Sequence, residues 1–354
     1  MYSEVMPFGQ KGNHMGKFRE SERDRQAQFK QEWPDFSGGA RQNGEYAGKP
    51  RTFCLPPSMA KENLFSGFRA EADEWFCKHK IKWHDGLNGR PSNHLCDSQV
   101  CCVNFLFAFA DKPELLASLL KPIFPEIKQM IPVEDGKFVT FEWIGKKNYL
   151  NERMREEGSR TRGANCTSAD AIVAFEREGG KKHIVLIEWK YTESYHSIHL
   201  KTAPSGTDRT KTYKSLYEKP DCPIDGTLVP FEALFFEPFY QLMRQQLLAH
   251  EMETAKAPEA DIVSLLHIAP AHNTDFRKVT SPALKSLGDT ATGVWAKLVK
   301  TPGRFQSVET EWLFSPLLAN PPAELKDWAE YLTQRYPWVM SPSVRLGRLA
   351  SNTP

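Results

Sequence analysis

Two carboxylates and one ammonium fall close together on what reads as a pair of adjacent strands. Glu188-Trp189-Lys190 ends the run His183–Tyr191, whose middle, Ile184–Ile187, is aliphatic and suited to burial on both faces. Side chains alternate along a strand, so Glu188 and Lys190 project to the same side. Asp170 lies in the preceding run, Ser168–Phe175, across a Glu178-Gly179-Gly180 turn. A hairpin through that turn sets its carboxylate beside that of Glu188. Two neighbouring carboxylates near an apolar core are costly unless a cation neutralises them. Hard oxygen donors suit Mg²⁺ or Mn²⁺. Such an ion polarises a phosphate and acidifies a bound water, and an ammonium alongside stabilises the charge that builds on the phosphate oxygens. The pattern predicts metal-assisted hydrolysis of a phosphodiester, with Asp170, Glu188 and Lys190 as catalytic residues. The tripeptide acid-x-Lys carries little weight alone, since it also occurs at Glu126-Ile127-Lys128, Asp135-Gly136-Lys137 and Glu324-Leu325-Lys326. Only Glu188-Trp189-Lys190 ends a strand with an acidic partner on the strand before it. A solvated Glu–Lys pair at a strand end is the plainer alternative.

The elements that would position these residues follow from hydrophobic spacing. Helices are predicted near Lys17–Trp33 and over 64–80, where Phe65, Phe68, Ala72, Trp75 and Phe76 recur at helical intervals. Pro91-Ser92-Asn93 opens another, whose stretch Leu95 to Ala110 is apolar almost all round and so belongs in the interior. A short helix follows from Pro113 to Leu120. Strands are predicted at Lys137–Ile144, Ser168–Phe175, His183–Tyr191 and Asp261–Ile268, with a helix at Phe231–Glu251 and another near Ala323–Tyr336. Residues 201–228 read as a long polar loop. The order is helix, three strands, helix, strand, which gives an α/β (α+β) fold with a mixed sheet flanked by helices. The expected division is a polar, helical N-terminal extension over 1–90, a core over 91–272, and C-terminal loops and a helix packed on that core over 273–354.

Bulk properties limit the partners. The chain has 354 residues, 40% of them hydrophobic, enough for a sizeable core. Lys and Arg number 46 against 44 Asp and Glu, so any basic surface is local rather than global. The seven Cys are scattered without a Cys-x-x-Cys pair, which predicts buried free thiols and a reducing, cytoplasmic setting. Met1 to Glu20 lacks the apolar segment of a signal peptide, and no apolar stretch reaches the ~18 residues of a membrane span.

Ser168-Ala169-Asp170-Ala171-Ile172-Val173 followed by Ile187-Glu188-Trp189-Lys190-Tyr191 resembles motifs II and III of the PD-(D/E)XK nuclease superfamily, the restriction-endonuclease-like fold. Ala169 stands where that motif usually has Pro. The superfamily core is a helix, three antiparallel strands, a helix and a parallel strand, the order read above, and the likeness spans about residues 91–270. Asp97-Ser98-Gln99, Phe141-Glu142-Trp143 and Tyr191-Thr192-Glu193 resemble a bacterial restriction-endonuclease-like branch. The resemblance implies a Mg²⁺ or Mn²⁺ ion on Asp170, Glu188 and the Trp189 backbone carbonyl, with Lys190 serving the attacking water. It also implies auxiliary roles for Gln99, Glu142 and Glu193. Gln99 occupies the helix that usually carries a Glu, and is either a weak or water-mediated ligand or a satisfied buried amide. Glu142 is either a third carboxylate or a member of a strand-face ion pair. On the later helix, Arg244 and Gln245 would contact nucleic acid, Arg244 being either a phosphate clamp or a member of a helix-surface ion pair, although the Gln-x-x-x-Tyr pattern of RecB-like branches is not matched.

Two basic stretches flank the proposed centre. Residues 146–163 hold six basic residues, Arg160 and Arg162 among them, against three acidic ones, and lead into Asp170. Residues 196–214, including Lys201, follow Lys190. Either could track a phosphate backbone, although charged loops are commonly just solvated. The leading expectation is a DNA endonuclease of restriction or defence type, with self-association into a homodimer left open. The alternatives are a nuclease-fold binding protein that does not cut, and an RNase or exonuclease using the same site.

Overall fold

A computed structural model describes residues 16–152, 160–256 and 259–342. Nine α-helices and eight strands are found among them. In chain order they are α1 (Lys17–Glu32), β1 (Gly44–Tyr46), β2 (Lys49–Arg51), α2 (Arg69–Lys78), α3 (Ser98–Leu106) and α4 (Pro113–Leu120). Next come β3 (Ile127–Ile131), β4 (Val139–Trp143), β5 (Ala169–Arg177), β6 (Lys182–Trp189), α5 (Thr210–Tyr217) and α6 (Phe239–Thr254). The chain then continues through β7 (Ile262–Ala269), α7 (Ala291–Leu298), β8 (Phe305–Glu309), α8 (Thr310–Ala319) and α9 (Lys326–Arg335).

The central sheet is mixed and has six strands, in the order β3-β5-β6-β7-β8 with β4 also paired to β5. β5 and β6 form the expected hairpin, with Gly179 and Gly180 at the turn in the positive-φ conformation that glycine tolerates. β7 lies parallel to β6 after the α6 crossover, and β8 parallel to β7 after α7. β3 and β4 run end to end along the same edge of β5: Ile131 pairs with Ala174, and Val139 with Val173. They are one edge strand interrupted at 132–138.

Alternation along β5 and β6 sorts the interior into two cores. Ala171, Val173, Phe175, Val185, Ile187 and Trp189 face one packed by α3, α4, α8 and α9. Ile172, Ala174, Ile184 and Leu186 face the other, packed by α6 and α7. Asp170 and Glu188 continue the second series, toward α6. β-strands buried on both faces explain why these runs read as continuous apolar sequence.

The expected helices and strands near the centre are present, with shifted bounds. The run 95–110 becomes α-helical only at Ser98, where Asp97 accepts the Val100 N–H as the cap. The run 231–251 is a 3₁₀ turn at Phe231–Leu234 followed by α6, with Pro238 after a cis bond between them. Sequence reading missed β3, β8, α5, α7 and α8. Pro302, Gly303, Pro316, Pro321 and Pro322 read as breakers, yet Pro316 lies inside α8. α5 rests on few apolar anchors, mainly Tyr213 and Leu216, too few to mark a period in a polar stretch. Five of the seven cysteines are buried thiols, Cys54, Cys96, Cys101, Cys102 and Cys222. No helix of the described residues is long and apolar enough to cross a membrane.

α1 and α9, the first and last α-helices among the described residues, meet over the first core. Arg335, fully buried, donates to Gln26 Oε1, to the backbone oxygen and side chain of Asn63, and to the Leu95 carbonyl. Glu22 on α1 accepts from Tyr191 Oη (2.6 Å) and Trp338 Nε1 (2.9 Å). Charge-assisted hydrogen bonds of this kind are stronger than neutral ones, and deleting the donor strands buried acceptors. Arg335→Ala is expected to lower unfolding free energy by roughly 3 kcal/mol or more. Urea denaturation checks this; an unchanged midpoint would refute the clasp.

Candidate active site

Strand register assembles the centre. Ala171 pairs with Ile187, so the next step of the ladder sets Asp170 beside Glu188. On the other side of β5, Phe141 pairs with Ala171 and Trp143 with Ala169, which puts Glu142 level with Asp170. The row continues to His267, paired with Glu188, and then to Ser307. Three carboxylates on three adjacent strands thus share one line across the sheet, and Lys190 stands one residue past β6.

Glu142 leaves the strand conformation, with φ +49. That region is unfavourable for a side chain with a Cβ, by roughly 1–3 kcal/mol. The turn breaks the alternation: Phe141 packs in the first core and Trp143 in the second. Arg162 braces it. Its five N–H groups go to both Glu134 oxygens, Thr140 Oγ1 and the carbonyls of Phe141 and Glu142. Gly163 follows with φ +71, and a Cβ there would lie 2.5 Å from the Lys82 carbonyl oxygen.

Hydrogen bonds then fix the acids. Lys190 Nζ donates to Glu188 Oε1 at 2.5 Å, and Gln245 Nε2 donates to Glu188 Oε2 at 3.0 Å and to the Ser168 carbonyl at 2.6 Å. The Trp189 N–H donates to Asp170 Oδ2 at 2.7 Å. Glu142 accepts from Gln99 Nε2 and Ser168 Oγ, each at 2.6 Å. The backbone N–H of Lys190 donates to the Ile268 carbonyl, tying the chain just past β6 to β7.

Burial, together with repulsion from Glu188, pushes the Asp170 carboxyl well above its ordinary range, against the pull of Lys190 and the Trp189 N–H. Burial also raises Glu142, despite its two hydrogen bonds. For Lys190 burial acts downward, but Glu188, Tyr195, Glu193 and Asp170 outweigh it, so the ammonium stays charged. One ammonium faces three carboxylates.

The remaining expected site residues fall in several places. Gln99 is a satisfied amide: it accepts the His84 N–H and donates to the Lys82 carbonyl and Glu142. Among the described residues Glu142 forms no ion pair, and its hydrogen-bond partners Gln99 and Ser168 are neutral. Glu193 accepts the Tyr191 N–H and shapes the loop after Lys190. The Trp189 carbonyl accepts from Ser98 Oγ at 3.4 Å. Arg160 donates to the Ile144 carbonyl. Lys201 is partly exposed, 3.9 Å from Glu232. Two residues expected to contact nucleic acid point elsewhere. Arg162 is turned inward with its donors spent on β4. Gln245 is buried against Glu188, because its position on α6 faces the sheet. Arg153 and Arg155, two of the six basic residues of the stretch 146–163, lie outside the described residues. His267, opposite Glu188 on β7, is fully buried in the core.

Sequence reading missed Ser168, which links Glu142 to Gln245, and Tyr191, whose hydroxyl is held by Glu22 and Gln26. The partners lie 26 and 77 residues from Ser168 and 165 and 169 residues from Tyr191, so no local spacing signals these roles.

Among the described residues, no group of three or more His, Cys, Asp or Glu is already gathered to hold a metal ion. The donor chemistry nevertheless fits Mg²⁺ or Mn²⁺. The acids outnumber the cation, and the Gln245 Oε1, on the amide that touches Glu188, is buried without a partner. Hard oxygen donors around excess negative charge are what such ions need.

Comparison with known proteins gives one family. Residues 23–337 match the family model REase-ARP, described as Restriction Endonuclease associating with ARP. No curated protein and no solved structure matches the chain.

The raised Asp170 pKa has a sign that can be measured. A carboxyl that holds its proton more tightly when folded favours folding at low pH, and that advantage is lost as pH rises through its folded value. Asp170→Asn is therefore expected to stabilise the metal-free protein at pH 8 by on the order of 1 kcal/mol. The gain should shrink as pH falls toward the ordinary carboxylate range. Thermal melts in EDTA across this range test it; a destabilised variant at pH 8 would contradict the reading of the charge row.

Proposed function

The chain belongs to the REase-ARP family of restriction endonucleases, and on that premise we propose that it is a metal-dependent DNA endonuclease of the PD-(D/E)XK type. The observation that carries the reading is the buried row Asp170–Glu188 with Lys190 ion-paired at its end. A binding surface gains nothing from burying like charges, whereas hydrolysis of a phosphodiester uses them.

In this mechanism Asp170, Glu188 and the Trp189 carbonyl would hold Mg²⁺ or Mn²⁺. When bound, the ion supplies charge neutralisation at the phosphate and a more acidic water. Lys190 Nζ donates to the attacking water or to the oxyanion that develops on phosphorus. Because its charge is secured by the surrounding acids, it acts as a fixed donor and needs no reorganisation during the reaction. Gln245 keeps the Glu188 carboxylate oriented toward Asp170. Glu142 lies one strand further out, held by Gln99 and Ser168, and supports the row.

One observation favours a non-cutting nucleic-acid-binding protein instead. Each Glu188 oxygen already accepts a hydrogen bond, from Lys190 and Gln245, which leaves fewer lone pairs for a metal ion.

Purified protein should be incubated with plasmid, linear duplex, single-stranded DNA and RNA in Mg²⁺, Mn²⁺ or EDTA. Duplex DNA is expected to be cut in either metal and not in EDTA. Lys190→Ala and Asp170→Ala should each cut at least ~100-fold more slowly. Cleavage by both variants at the wild-type rate would overturn the site. Preferential cleavage of RNA would reassign the substrate, and duplex binding without any cleavage would favour the binding protein.

A further inference from the structure

Beside the carboxylate row, α6 carries a guanidinium without an ion-pair partner. Arg244 precedes Gln245, the residue that touches Glu188. Its guanidinium carbon lies 4.7 Å from the centroid of the Tyr240 ring, one turn earlier. Its Nε is buried with no hydrogen-bond partner, and it forms no ion pair within the described residues. The side chain itself is only partly buried.

The surroundings hold this group in place and keep it charged. Tyr240 is buried, stacks on Phe235 and meets Tyr213 edge-on. Arg209 approaches the same ring, at 5.6 Å, and donates to the Leu200 carbonyl. Residues 200–209 fold back on themselves through a bridge between Thr202 and Asp208. The basic loop after Lys190 is thereby brought against α6. Burial works against the Arg244 charge, and the nearby Glu152 and Glu237 carboxylates help to hold it. Glu152 is itself committed to Thr167 and Tyr213, and Thr167 is three residues before Asp170. The guanidinium therefore lies close to the start of β5 with its charge intact.

We infer that Arg244, stacked on Tyr240, forms a subsite for a phosphate of the DNA backbone that adjoins the scissile one. A guanidinium offers a planar fork of donors matched to phosphate oxygens, and its weak hydration suits a half-buried position. Stacking on a buried ring fixes the fork in advance, so less side-chain entropy is lost on binding. The shared chemistry with free phosphate is a tetrahedral oxyanion; the polymer is favoured because the adjoining loop carries two further basic residues, Arg209 at 5.6 Å from the same ring and the partly exposed Lys201.

This inference rests on the nuclease reading, and the test separates the two. Binding of a fluorescent duplex is measured by anisotropy in EDTA over a salt series, for wild type, Arg244→Ala and Arg244→Lys, with thermal melts as the folding control. Arg244→Ala should weaken binding about tenfold and reduce the log–log salt slope by about one phosphate contact. Arg244→Lys should recover the slope but only part of the affinity, because the charge remains and the fork is lost. Inorganic phosphate at millimolar concentration should compete weakly with wild type; efficient competition would reassign the subsite to a free oxyanion. Folded variants that match wild-type affinity and slope would overturn the inference while leaving the nuclease reading intact. Failure of wild type both to bind and to cut DNA would overturn both.

Discussion

Repulsion among Glu142, Asp170 and Glu188 is the interaction around which the sheet end is built. At an effective dielectric of ~20, two unit charges ~4 Å apart interact by about 4 kcal/mol, a large fraction of a domain's net stability. Lys190 offsets part of this through its ion pair with Glu188. The Trp189 N–H, the Gln245 and Gln99 amides and the Ser168 hydroxyl each satisfy one carboxylate oxygen. These neutral donors orient the acids without cancelling their charge. The row therefore stays electrostatically unsatisfied, and two of its carboxyls hold their protons more tightly than usual. Strain at Glu142 and repulsion at Asp170 fall on the same line of the sheet, where a site for a cation would be placed.

Holding that line requires the rest of the chain. β5 and β6 are stiffened by packing on both faces, so their ends cannot splay to relieve the repulsion. Arg162 spends its guanidinium on the backbone at Glu142. On the far side, Tyr191 is gripped by Glu22 and Gln26 from α1, and Trp338 shares the Glu22 carboxylate. Asn273 donates to the carbonyls of Tyr191 and Glu193, which anchors the loop just past Lys190. The terminal elements thus restrain the residue next to the ammonium. Fixing a charged group within a fraction of an ångström is what electrostatic preorganisation demands.

Much of this was legible in the linear order of residues. The apolar runs 168–175 and 183–191, joined by Gly179-Gly180, determined the hairpin and hence the meeting of Asp170 with Glu188. Acid-x-Lys at a strand end determined that Glu188 and Lys190 share a side. An apolar run at 95–110 and a crossover helix before Asp261–Ile268 determined a mixed sheet with helices on it. These are local rules, set by backbone geometry and by burial, and they operate over a few residues. The sixth strand and the split edge strand were not legible, because β3 and β8 are short and only half-buried, so neither carries a strong period.

What only the tertiary structure decided is which polar side chain serves the centre and which serves the scaffold. Arg162 and Gln245 had the composition of nucleic-acid contacts, yet one braces a strained strand and the other orients a carboxylate. Gln99 and Glu142, alternatives in the sequence, turn out to be bonded to each other. A hydrogen bond is satisfied by whatever partner the fold brings within 3 Å, and those partners lie tens to hundreds of residues away. Sequence spacing therefore determined the acids, the lysine and the strands that carry them; packing at long range decided how each charge is held.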